Sequence, residues 1–156
     1  MDGPSGEGVP RAWDGSRAES RMALGRGLIL AMLTLLACDV IGGFIAVASG
    51  VDTWDHAWGF DTEYTVPLPV GVVQLALAWL AGRNVRPPVG LIAAVLLSTF
   101  CLASLLFGSF DGDLRGNIAS AGWWSWGVVW GFVLLLVTGV VGVLAVAQAK
   151  RLRRQR

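Results

Sequence analysis

Histidine, cysteine and tyrosine are nearly missing from this chain of 156 residues, which holds one His, two Cys and one Tyr. Each scarcity removes a class of chemistry. The single imidazole, His56, lies outside the apolar stretches, so a haem held between two histidines inside a membrane has no ligands. Cys38 and Cys101 stand alone in different apolar stretches, without a Cys-x-x-Cys pair, which argues against intramembrane thiol redox chemistry. No P-loop, Gly-x-Gly-x-x-Gly strand turn, Gly-x-Ser-x-Gly elbow or His-Glu-x-x-His pair occurs. Charge is scarce too: 15% of the residues are charged and 54% apolar. An ordinary soluble domain carries nearer ~25% charge.

What the chain has instead is long apolar runs. Four of them, at about 28–50, 64–82, 88–107 and 123–147, approach the ~20 residues that a helix needs to cross ~30 Å of hydrocarbon. They predict an all-α integral membrane protein, a four-helix transmembrane bundle made of two antiparallel hairpins. The transmembrane domain covers 25–149 and is expected to be the whole fold of this chain. Residues 1–24, rich in Gly, Ser, Pro and Arg, read as a disordered cytoplasmic tail, and 150–156 as a basic cytoplasmic tail. Pro67 and Pro69 break the second run and leave a regular helix of ~15 residues, opened by a proline turn. The turn Arg83–Pro88 is short enough to force the second and third helices into a hairpin, with Pro88 opening the third.

Charge placement orients this bundle. Eleven of the twelve basic residues precede Gly27, lie in the Arg83–Pro88 turn or follow Gln148, and the exception is Arg115. Lys and Arg beside spans stay in the cytoplasm, so both termini are expected inside a bacterial-type plasma membrane. The opposite loops carry Asp52, Asp55, His56, Asp61, Glu63, Asp111 and Asp113. These read as an acidic solvated face, and their spacing fits no metal box. The tail Lys150, Arg151, Arg153, Arg154 and Arg156 is a topology anchor that also attracts anionic lipid headgroups, at ~1 kcal/mol per basic residue. Trp54, Trp58, Trp123, Trp124 and Trp126 fall at the expected outer interface, as an aromatic belt does.

Inside the runs, small residues recur at spacing four: Gly42, Ala46 and Gly50; Gly90, Ala94 and Ser98; Gly127 and Gly131. Such stripes let helices approach within one chain, and they leave a homo-oligomer or a membrane protein partner open. The sharpest polar feature is Asp39, which no intramembrane Lys, Arg or His accompanies. A lone acid there must be protonated, paired or facing water. Counting depth from the ends predicts a buried cluster of Asp39 and Gln74 with Ser98 or Thr99. Leu35-Leu36-Ala37-Cys38 matches a lipoprotein cleavage box, and Ala46-Val47-Ala48 an Ala-x-Ala site. The apolar run continues through Val47, so the first helix is expected to be retained and Cys38 to stay unmodified.

These features predict a small membrane protein without its own catalytic centre, an accessory or structural subunit with neither cofactor nor nucleic-acid partner. The alternatives are a channel or transporter subunit using Asp39 and Gln74, and a lipid- or isoprenoid-handling enzyme with carboxylates at the Trp-rich interface. Topology is directly testable. Reporter fusions after Arg156 and within residues 52–62 are expected to report opposite compartments, and an external signal from the C-terminal fusion would overturn the orientation.

Overall fold

The computed structural model describes residues 13–50, 53–59, 66–83, 87–110 and 125–154. Helices α1 (Trp13–Ala48), α2 (Leu68–Gly82), α3 (Pro87–Phe110) and α4 (Trp126–Arg153) make up this part of the chain, and no strand occurs among the described residues. Met22–Ala48, Pro88–Phe107 and Trp126–Arg153 are each long and apolar enough to cross a membrane, which marks a multi-pass, membrane-embedded protein. Helix α2 has only 15 residues, about 22 Å at ~1.5 Å per residue.

The helix ends follow local chemistry. Helix α1 begins at Trp13, inside the segment expected to be an unordered tail, because Ala18-Glu19-Ser20-Arg21-Met22-Ala23-Leu24 is rich in strong helix formers. Its other end closes on Gly50, whose φ of 73° suits a residue without Cβ, while Ser49 and Gly50 donate to the Ile45 and Val47 carbonyls. Pro69 sits in the first turn of α2, where a missing N–H costs little. Ser125 caps α4, its Oγ accepting from the Val128 N–H at 3.4 Å. Helix α4 continues into the expected basic tail, so Lys150, Arg151 and Arg153 occupy its last turn, at the negative end of the helix dipole.

Helix α1 packs on α2 and α4, α3 packs on the same two, and α2 meets α4 across the middle, which keeps α1 and α3 apart. The buried positions explain why. Most fall in one series per helix: in α1, Gly25, Leu28, Met32, Leu35, Asp39, Gly42 and Ala46, with Gly43 beside it; in α2, Gly71, Gln74, Ala78 and Ala81; in α4, Thr138, Val141, Ala145, Gln148 and Leu152, with Val128 apart from it. Spacings alternate between three and four along each helix, a heptad seam that favours helices crossing at a shallow left-handed angle. The opposite faces present Leu30, Leu33, Ile41 and Phe44 on α1, and Leu136, Val140 and Val143 on α4, to the surroundings. Apolar residues inside and outside are what a lipid solvent requires.

Helices α1 and α2 run antiparallel, with Gly25 beside Gly82 and Leu36 beside Gly71. At the first crossing the backbones touch: a Cβ on Gly25 would overlap the Gly82 carbonyl oxygen, whereas a Cβ on Gly27 would meet nothing within 4 Å. The two glycines should therefore respond to alanine with opposite signs. Gly27→Ala is expected to raise stability in detergent by about 0.5–1 kcal/mol, from helix propensity alone. Gly25→Ala is expected to lower it by ~1–3 kcal/mol, since the crossing must open. Thermal unfolding monitored by circular dichroism measures both, and a stabilised Gly25→Ala would refute the close crossing.

Candidate functional site

The start of α2 is where the structure concentrates its polar contacts. Because Leu36 faces Gly71, α2 begins beside the middle of α1, and α1 continues from Asp39 to Ala48, another ~13 Å at ~1.5 Å per residue. A helix start held among apolar side chains must still satisfy its free N–H groups. Pro67 and Pro69 remove two of them by having none. Val70 and Gly71 donate back to the Pro67 carbonyl, at 2.8 and 3.1 Å. Leu68, the first residue of the helix, donates to the Trp58 carbonyl at 3.2 Å, and just ahead of the N-cap Val66 donates to the Asp39 carboxylate. Asp39 thus anchors the residue before a helix in which Pro67, at the N-cap, supplies no side-chain acceptor.

Trp58 reaches this point because the segment 53–59 folds back over the short helix. Thr53 accepts at its carbonyl from the N–H groups of His56 and Ala57, and Gly59 donates to His56, which closes a tight turn. The turn buries Ala57 completely and lays the Trp58 indole on α1 at Gly43, where a Cβ would overlap its nitrogen. Phe44 then packs edge-on against Trp58 and Trp54, with centroids 5.3 and 5.8 Å away. An aromatic pair of this geometry contributes ~0.5–1.5 kcal/mol beyond its area, enough to hold a short turn down. Bulky aromatic rings thereby occupy the space that a longer α2 would have filled.

Asp39 and Gln74 are both 3% exposed. The α1–α2 register sets Gln74 level with residue 33, about 9 Å nearer the start of α1 than Asp39 at ~1.5 Å per residue, and no hydrogen bond among the described residues joins the two. Ser98 and Thr99 turn their hydroxyls to their own helix, both donating to the Val95 carbonyl at 2.8 and 3.0 Å, and Thr99 is exposed. The four residues thus do not share a hydrogen-bonded cluster among the described residues.

Two polar contacts that sequence reasoning missed pin the helices together. Trp130 donates from Nε1 to the Cys38 carbonyl at 3.3 Å, joining α4 to α1. Gln148 donates from Nε2 to the Ala81 carbonyl at 2.7 Å, joining α4 to α2 near their C-terminal ends. The available signal was periodicity, since Gln148 continues the buried series Thr138, Val141 and Ala145. Beside this end, the Arg83 guanidinium lies over the Trp79 ring, 4.1 Å from its centroid.

Asp55 and His56 are exposed on the 53–59 turn, where His56 Nδ1 pairs with Thr53 Oγ1 at 3.3 Å. Asp52, Asp61, Glu63, Asp111 and Asp113 lie outside the described residues, as does Arg156. Among the described residues, no three His, Cys, Asp or Glu side chains converge as metal ligands. Lys150, Arg153 and Arg154 are exposed around the end of α4, and Arg151 is half-buried. The chain matches no protein-family model, no curated protein and no solved structure.

The bond to Val66 separates two substitutions of Asp39. Asp39→Asn keeps an acceptor for the Val66 N–H and is expected to melt within a degree or two of the native protein. Asp39→Leu strands that N–H and is expected to lose on the order of 1–3 kcal/mol. Thermal melts in detergent read the difference, and a leucine variant as stable as the native protein would refute the contribution of that bond.

Proposed function

We propose that this chain is a four-helix bundle of the plasma membrane, with all four helices crossing and both termini cytoplasmic. In this reading it serves without a catalytic centre of its own, as an accessory or structural membrane subunit. The observation that carries the reading is the use to which buried polar groups are put. Asp39, Gln74, Thr138 and Gln148 all occupy seam positions. Asp39 and Gln148 spend their described bonds on backbone groups of another element, as Trp130 does beside them. A polar residue at a seam position fixes which helix meets which and in what register, at some expense of stability. That is a structural employment.

The short α2 fits a transmembrane path because the aromatic turn fills the space beyond its start, and neighbouring spans absorb the remaining mismatch by tilt or local thinning. The basic end of α4, with Arg83 over Trp79 nearby, supports a cytoplasmic face that attracts anionic lipids. The exposed apolar faces of α1 and α4 serve lipid, a second copy or a partner's helix.

A channel or transporter subunit is the second reading, and the observation in its favour is that Asp39 Oδ1 is buried with no partner among the described residues. Reconstitution distinguishes the two. Liposomes containing the full chain and a trapped pH-sensitive dye are expected to pass protons under a valinomycin-set potential no faster than protein-free liposomes. Native mass measurement in mild detergent is expected to find the chain assembled with itself or with another membrane protein. A proton flux that Asp39→Asn abolishes while the fold persists would overturn the structural reading.

A further inference from the structure

Two buried polar atoms beside the start of α2, Asp39 Oδ1 and Trp58 Nε1, have no hydrogen-bond partner among the described residues. They are complementary, since one accepts and the other donates. They also face the same place. Gly43 follows Asp39 by one helical turn on the same side of α1, and the Trp58 nitrogen sits where a Gly43 side chain would be. Asp39 Oδ1 and Trp58 Nε1 do not bond each other, and a single oxygen placed between them can make both hydrogen bonds. Both groups are held: Val66 donates to the Asp39 carboxylate, and the Trp58 indole is packed against Gly43, Phe44 and Trp54.

Charge selects the class of occupant. The positive end of the α2 dipole disfavours a cation beside Asp39, and the carboxyl group itself disfavours an anion. A neutral group that gives one hydrogen bond and takes one satisfies both atoms, and a hydroxyl does so. We infer that Asp39 Oδ1 and Trp58 Nε1 form a binding site for one neutral hydroxyl group, which donates to Asp39 and accepts from Trp58. Two sources share this chemistry, an internal water and the hydroxyl of a glycerol-type lipid headgroup. The site differs from a mere packing contact in requiring both partners and the bare Cα of Gly43.

Nuclear magnetic resonance on the indole protons tests it. The full chain, labelled with nitrogen-15, is placed in phosphatidylcholine nanodiscs, whose headgroups carry no hydroxyl. The Trp58 indole signal is assigned by its loss in Trp58→Phe. The expected result is a cross-peak from the Trp58 Nε1 proton to water, retained in Asp39→Asn and lost in Asp39→Leu while the other indole signals stay in place. A cross-peak seen only in phosphatidylglycerol discs, and then to headgroup protons, assigns the hydroxyl to lipid. Gly43→Ala provides a second route should Asp39→Leu fail to fold, because its methyl displaces the indole and is expected to abolish the cross-peak. The inference is overturned by a native protein without a cross-peak in either lipid. It is equally overturned by a cross-peak that survives Asp39→Leu, or Gly43→Ala where that variant is needed.

Discussion

The arrangement depends on one constraint: α2 starts partway along α1, and the N–H groups at a helix start must find acceptors. Fifteen residues leave α2 short of its neighbour α1 at this end. Two prolines delete donors, and the Pro67 carbonyl turns two more inward. Leu68 needs an acceptor from outside the helix, which places a folded-back carbonyl at Trp58, and Val66 just ahead of the helix meets the acid at Asp39. Much of the surrounding structure follows from that. The 53–59 turn must descend along α1, Gly43 must lack a side chain to admit the indole, and Phe44 and Trp54 must close over it.

At its other end α2 is held differently, by shape and by one amide. Gly25 and Gly82 bring α1 and α2 into backbone contact, and Gln148 bonds the Ala81 carbonyl from α4. Close approach gains dispersion contact, which matters where lipid competes as well as leucine for apolar surface. An interhelical hydrogen bond in such surroundings contributes only ~0.6 kcal/mol on average. Its value lies more in register, since shifting α4 by one residue would carry Gln148 off the seam and away from Ala81. The shortest helix is thus the one fixed at both ends, and α1 and α4 are aligned against it.

These contacts also change how Asp39 is understood. An acid within an apolar helix suggests ion or proton handling when viewed in one dimension. Its backbone partner at Val66 gives it a structural task, and its second oxygen, opposite Trp58, gives it room for one more bond. Anchoring Val66 and ligand binding are compatible here because a carboxylate has two oxygens and each is committed to a different direction.

The four helices, their approximate limits and the weakness of the second were legible in the sequence, because apolar run length and proline position act through local geometry and solvent transfer alone. So was the burial of Asp39 and Gln74. The helical start of α1 and the continuation of α4 through its basic end were not, since composition marks solubility more reliably than conformation there. Partners were the least legible. Whether Asp39 meets Gln74 or Val66 depends on the register of α1 against α2, which is set by Gly25, Gly71 and Gly82 and by the inserted 53–59 turn. The sequence by itself determined a membrane-embedded helical chain, because hydrophobicity is additive along it; tertiary structure decided which polar atoms meet, because a few residues of axial shift separate one partner from another.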